Sequence, residues 1–210
     1  MPQPAGTLSD DSSREPGPRG LGRRIFMLSP ANASGIKGQR LLDPVTSSQF
    51  AQRLRHSGLP LGEIYRFISS LYFRGKLDYA ERFQNPPPGV PGVQIITGSG
   101  LILPETMVSF ADLRRISSTP IDAKNSQYRA PLDCDLLRLR NLVGCDTNII
   151  LLGSIATPKY ITPLLEVFGE RLLFPRNFLG LGDMSRGSML LRCCAASTEL
   201  EYLPVDKILR

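Results

Sequence analysis

A chain of 210 residues with 41% hydrophobic content is long enough to bury one sizeable core. Its net charge of +6 allows an acidic partner such as nucleic acid without demanding one. No apolar run approaches the roughly 20 residues that a bilayer-spanning helix needs, so a membrane partner is not expected.

Residues 1–23, MPQPAGTLSDDSSREPGPRGLGR, are rich in Pro, Gly, Ser and charge and predict a disordered tail, with a single α/β domain following over 24–210. The stretch Met1 to Arg24 carries Asp10, Asp11 and Glu15 and has no apolar segment of the signal-peptide kind, so a cytoplasmic chain is expected. Four cysteines, Cys134, Cys145, Cys193 and Cys194, form no CxxC pair and have a single histidine beside them in the composition. Neither a metal site nor a disulfide framework is expected from that pattern; buried structural thiols are.

Ile25 to Leu28 reads as a first buried strand, closed by Ser29 and Pro30. The next loop offers Ser29, Asn32, Ser34 and Gly35, then Lys37 and Arg40. It can bind an anion through backbone N–H groups and two cations, or it is a polar loop and short helix with solvated basic residues. A helix is predicted from Thr46, capped by Thr46, Ser47 or Ser48, with Phe50, Ala51 and Leu54 inward. His56, in its last turn, reads as a surface residue. A longer helix begins near Leu61, with Ile64, Tyr65, Ile68, Leu71 and Tyr72 on one stripe that resumes at Leu77, Ala80 and Phe83. Gly75 is the expected kink. Its aromatic stripe reads as core, and the flanking Arg74 and Lys76 face either solvent or a ligand.

NPPPGVPG at 85–92 can only be a stiff connector. The strand VQIIT at 93–97 then runs into Gly98, Ser99 and Gly100, a turn that lets backbone approach a ligand beside Thr97 and Ser99. Segments 101–104 and 107–115 read as a loop plus a short helix or strand. Leu132 to Val143 predicts an amphipathic helix with Leu132, Leu136, Leu139 and Val143 inward. Asn148 to Leu152 is a strand buried on both faces, ended by Gly153; the next helix takes Thr157 as N-cap and Pro158 as first residue, and Gly169 stops it. That half of a βαβ unit makes a cradle for a polar ligand at Ser154, Thr157 and Lys159. Glu170 to Phe174 predicts a further strand. LGLGDMSRGS at 179–188 brings a carboxylate, a hydroxyl and a guanidinium together at Asp183, Ser185 and Arg186, or is only a turn into an antiparallel hairpin of Met189–Cys194 and Glu199–Pro204. The expected fold is α/β, a three-layer sandwich with a mostly parallel central sheet and that C-terminal hairpin.

LYFRGKLDYAERF at 71–83 followed by VQIITGSGLILPE at 93–105 resembles the signature of a bacterial α/β superfamily. Its members include peroxide-stress proteins and domains attached to archaeosine-type tRNA base-modifying enzymes, with a uracil-DNA-glycosylase-like layered fold. The blocks IFMLSPAN, LYFRGKL, LLGSIATPKY, FGERLLFP and GDMSRG also resemble an uncharacterised bacterial family. The resemblance implies handling of a nucleobase, nucleoside or nucleotide, with glycosidic-bond chemistry conceivable. Asp183 would then activate water or a base, and Lys159 or Arg186 would hold phosphate.

GxGxxG, GxxxxGKS, GxSxG and HExxH are all missing from the sequence, so no cofactor is implied. Polar loops instead follow three strands, at Ser29 to Lys37, Thr97 to Gly100 and Gly153 to Lys159, and a parallel sheet would bring all three to one edge beside Arg74, Asp183 and Arg186. The rival reading is a non-catalytic nucleic-acid-binding or protein-interaction module.

Overall fold

The computed structural model describes residues 22–69 and 71–209. All but Gly22 and Arg23 of the expected tail lies outside the described residues. The first half of the chain forms β1 (Arg24–Leu28), α1 (Ile36–Leu42), α2 (Gln49–Ser57), β2 (Leu59–Pro60), α3 (Leu61–Ile68), α4 (Tyr72–Phe83) and β3 (Val93–Thr97). It continues through β4 (Gly100–Ile102), β5 (Met107–Val108), α5 (Phe110–Ser118), α6 (Ser126–Val143) and β6 (Asn148–Leu152). The rest comprises α7 (Pro158–Phe168), β7 (Leu172–Pro175), α8 (Asp183–Ala196), β8 (Tyr202–Pro204) and α9 (Val205–Ile208).

Six strands form one sheet in the order β4-β3-β1-β6-β7-β8, in which β3, β1, β6 and β7 are parallel and the two edges are antiparallel. The protein is therefore an α/β fold with a mostly parallel sheet. Ile25, Phe26, Met27 and Leu28 in β1 and Ile149 to Leu152 in β6 are fully buried, as continuous apolar runs in an interior parallel sheet must be. Phe26 pairs with Val93 on one side and with Ile150 on the other, so β1 is the axis from which the chain leaves first toward β3 and later toward β6. The carboxyl ends of the parallel strands thus share one edge, with the switch in direction between β1 and β6.

Several helix boundaries follow from the expected signals. Ser48 caps α2 by accepting from the Ala51 N–H at 3.3 Å, and Ser109 with Asp112 makes a reciprocal capping box on α5. Thr157 and Pro158 open α7, and Gly169 ends it at φ 54°.

Three expectations are corrected. The predicted strand Met189–Cys194 is helical, part of α8, so the C-terminal hairpin does not form; Tyr202–Pro204 pairs instead with β7. Gly187, Leu190 and Cys194 recur at helical spacing, and that period prevails over the strand-like look of the apolar run. Second, the long helix breaks at Ser69 rather than at Gly75, which lies inside α4. Third, Cys134 and Cys145 are exposed and Cys193 and Cys194 are half-buried, so the four thiols are not core residues.

Gly75 has a different purpose. A Cβ there would meet the Gly187 carbonyl oxygen at 2.7 Å, and a Cβ on Gly187 would meet the Tyr72 Cα at 2.9 Å. The two glycines let α4 and α8 approach backbone to backbone. Tyr79 of α4 adds a second tie, accepting from the Leu200 N–H at 2.8 Å and lying 2.6 Å from the Tyr202 hydroxyl, which donates to Glu199. We expect Gly75→Ala and Gly187→Ala each to cost about 1–3 kcal/mol through overpacking, read by urea denaturation; a neutral result at both positions would show that the two backbones are not in contact.

Candidate functional site

A cavity of about 740 Å³ opens at the carboxyl edge of the sheet. Its wall comes from the loop after β1, the end of α3, the start of α4, the end of α5 and the first turns of α7 and α8. The sheet fixes the floor: Leu28 pairs with Leu152, and the Ser29 N–H donates to the Leu152 carbonyl at 3.1 Å. Ser29 and Gly153 are therefore neighbours at the switch point, where a Cβ on Gly153 would lie 3.2 Å from the Ser29 hydroxyl.

The amine of Lys76 is the dominant group. Lys76 is 1% exposed, and its Nζ donates to the Ser29 carbonyl at 2.6 Å and to Ser29 Oγ at 2.9 Å. The rings of Tyr72 and Phe73 lie 4.6 and 5.0 Å from it. Desolvation pushes its pKa down to about 7, an effect that Asp183 opposes and Arg186 reinforces. Tyr72 is pushed up to about 12, chiefly by burial, although the Arg186 guanidinium lies beside it. Burial raises Tyr65 and Tyr160 as well.

One hydroxyl in this wall is unsatisfied. Ser117 Oγ is buried and has no hydrogen-bond partner among the described residues, whereas the buried Tyr72 Oη has the Arg186 guanidinium as a hydrogen-bonding neighbour. A buried polar group left unpaired costs about 1–3 kcal/mol, so Ser117 marks a place where another molecule's polar atom is wanted.

The structure brings together Ser29, Asn32, Ser154, Lys159 and Asp183 around the cavity. Asn32 is exposed, and its Oδ1 accepts from the Ser34 N–H and hydroxyl, which shapes the loop. Ser154 Oγ accepts from the Ala156 N–H. Lys159 has its ammonium 5.0 Å from the Tyr160 ring, and its carbonyl accepts from Tyr128 Oη at 2.9 Å. Asp183 is exposed in the first turn of α8.

Other candidates lie apart from the cavity wall. Lys37 is exposed near the Phe67 ring, and Arg74 is exposed and faces Asp78 at 3.8 Å. Thr97 is fully buried: its Oγ1 donates to the Gly100 carbonyl and accepts from the Ser99 N–H, so both residues shape a turn whose Gly98 alone reaches the wall. Thr157 is exposed and makes no side-chain cap, and Ser185 borders a separate hollow with Leu71 and Arg192. Arg186 donates to the Phe178 carbonyl through Nε and Nη2 and to the Gly153 carbonyl through Nη1, stacking on Phe178 at 5.2 Å. It clamps backbone.

Sequence reasoning placed Tyr72 in the core and left Lys76 between solvent and ligand. The signal was present: Tyr72, Lys76, Ala80 and Phe83 share one helical stripe, and a lysine on an apolar stripe must find partners indoors. Ser117, Ile116 and Tyr160 carried no comparable signal. No family model, curated protein or solved structure matches the chain.

The buried amine makes a prediction about stability. Its folded pKa of about 7 lies below the ordinary lysine value, so between those values the unfolded chain binds more protons and stability rises with pH. Relative to Lys76→Met, the wild type should gain up to about 1.4 kcal/mol per pH unit from about pH 7 upward and show no such gain at lower pH. Urea denaturation of both proteins from about pH 6 to about pH 9 measures it; a difference that does not change with pH would place the amine in water.

Proposed function

We propose that the cavity binds a small polar molecule of nucleobase, nucleoside or nucleotide size. The observation that carries this reading is the buried, unpartnered Ser117 Oγ in a cavity that also holds the Lys76 amine and the Tyr72 hydroxyl. Ligand pockets of roughly 300–1,000 Å³ with a few converging polar groups among aromatic rings suit such compounds, and the 740 Å³ here falls in that range. Tyr65, Tyr72 and Tyr160 supply the rings, Lys159 a charge for an anionic group, and Asp183 an acceptor for ligand N–H or O–H donors. The three-layer arrangement belongs to the same proposal, supported by strands β1 and β6 that bury every apolar residue.

A thermal-shift series with nucleobases, nucleosides and nucleotides tests the reading. A true ligand at a hundredfold excess over its Kd adds about 2.7 kcal/mol, a rise of several degrees for a chain of this size. Lys159→Ala and Asp183→Asn should remove that rise and leave the unliganded melting temperature nearly unchanged, because Asp183 is exposed and Lys159 holds its backbone contact without its side chain. Stabilisation by short DNA or RNA alone, falling steeply with salt, would instead favour a nucleic-acid-binding surface.

A further inference from the structure

We infer that Ser29 and Lys76 form a nucleophile and general-base pair that cleaves an ester or amide carbonyl in this cavity. The chemistry deepens the proposed small-molecule reading, since it is the polar pocket that would hold the compound bearing the acyl group.

The geometry comes from three elements. Ser29 directly follows β1, α4 brings Lys76 Nζ to 2.9 Å from Ser29 Oγ, and Gly153, directly after β6, lets its backbone lie against Ser29 where a side chain would crowd it. The contact at 2.6 Å to the Ser29 carbonyl pins the amine, so its approach to Oγ is fixed by two bonds to one residue. Both Ser29 and Lys76 are in the cavity wall. A serine is a weak nucleophile until a neighbouring base takes its proton, and a desolvated lysine is a suitable base because it can be neutral near physiological pH.

In the neutral state the amine keeps one N–H on the Ser29 carbonyl and presents its lone pair to the Ser29 O–H. As Oγ bonds to the substrate's carbonyl carbon, its proton passes to Nζ and the carbonyl π electrons move to oxygen. When that oxyanion collapses, the bond to the leaving alcohol or amine breaks, and the leaving group takes the proton from the Lys76 ammonium. Water then attacks the acyl-Ser29 ester, again giving its proton to Nζ, and Oγ leaves and regains a proton. One water is consumed, and a carboxylic acid and an alcohol or amine are released. Lys159 and Tyr160, in the first turn of α7, line the same cavity, and the positive end of that helix, which Thr157 does not cap through its side chain, together with the Lys159 charge favours the oxyanion.

The test uses the full chain with a fluorophosphonate probe, which phosphonylates an activated serine with loss of fluoride, and with p-nitrophenyl acetate. The expected result is one adduct, mapped to Ser29 by peptide mass spectrometry, whose rate of formation rises with pH through about 7 and then levels as Lys76 becomes neutral. Ser29→Ala should abolish it, and Lys76→Met should slow it by about 100-fold or more, the usual worth of a positioned base. The wild-type pH profile and the mapped site do not depend on either variant folding. No adduct, an adduct elsewhere, or a Ser29 rate indifferent to pH would overturn the pair. Labelling of Ser29 without any nucleoside or nucleotide shift would uphold the pair and refute the nucleoside reading; the shift without labelling would do the reverse.

Discussion

β1 is hydrogen-bonded in parallel on both sides, and every feature of the cavity depends on that placement. With five residue pairs to β6 and three to β3, its carboxyl end cannot slide without breaking the register of the sheet. That end is Ser29. The loop beyond it turns toward β3 while the loop after β6 turns toward β7, and the space left between the two departures is where α4 inserts its lysine.

A lysine amine is expensive to bury, and the surroundings of Lys76 meet the cost in a particular way. No carboxylate within ion-pair distance neutralises it among the described residues. Instead it has two oxygens of Ser29 and two ring faces, a set that solvates an amine without fixing its charge. A close carboxylate would have held the proton on; this arrangement lets it leave near neutrality. Nearby Arg186 is held by two backbone carbonyls, and its charge adds to the field on Lys76.

The parallel strands were legible because their apolar runs are short, continuous and bounded by Ser-Pro, Gly or Pro, and parallel crossovers then bring their ends to one edge. Ser29, Ser154 and Lys159 could be placed beside one another on that basis. Lys37, Arg74 and Thr157 could not be excluded from the site because their exposure depends on how α1, α4 and α7 are rotated, which no local pattern determines. The helix at Asp183–Ala196 was misread for a related reason. Its Gly187 and its apolar run up to Cys193 and Cys194 look strand-like locally, while the helical spacing of Gly187, Leu190 and Cys194 is reinforced by the contact with Gly75, more than 100 residues earlier. The break at Ser69 also lacks a Gly or Pro to announce it, whereas the conspicuous Gly75 is needed for contact and not for bending.

The tie between α4 and the C-terminal third has a consequence for how the protein is made. Lys76 lies on a helix whose packing surface, from Gly187 to Tyr202, is synthesised well over 100 residues later. Until those residues are made, α4 lacks the surface it packs against, and until β6 is made β1 lacks its second neighbour. The site's reactive character therefore arrives late and all at once, when the last helices dock. A nascent chain carries a serine and a lysine; only the finished fold makes them a pair.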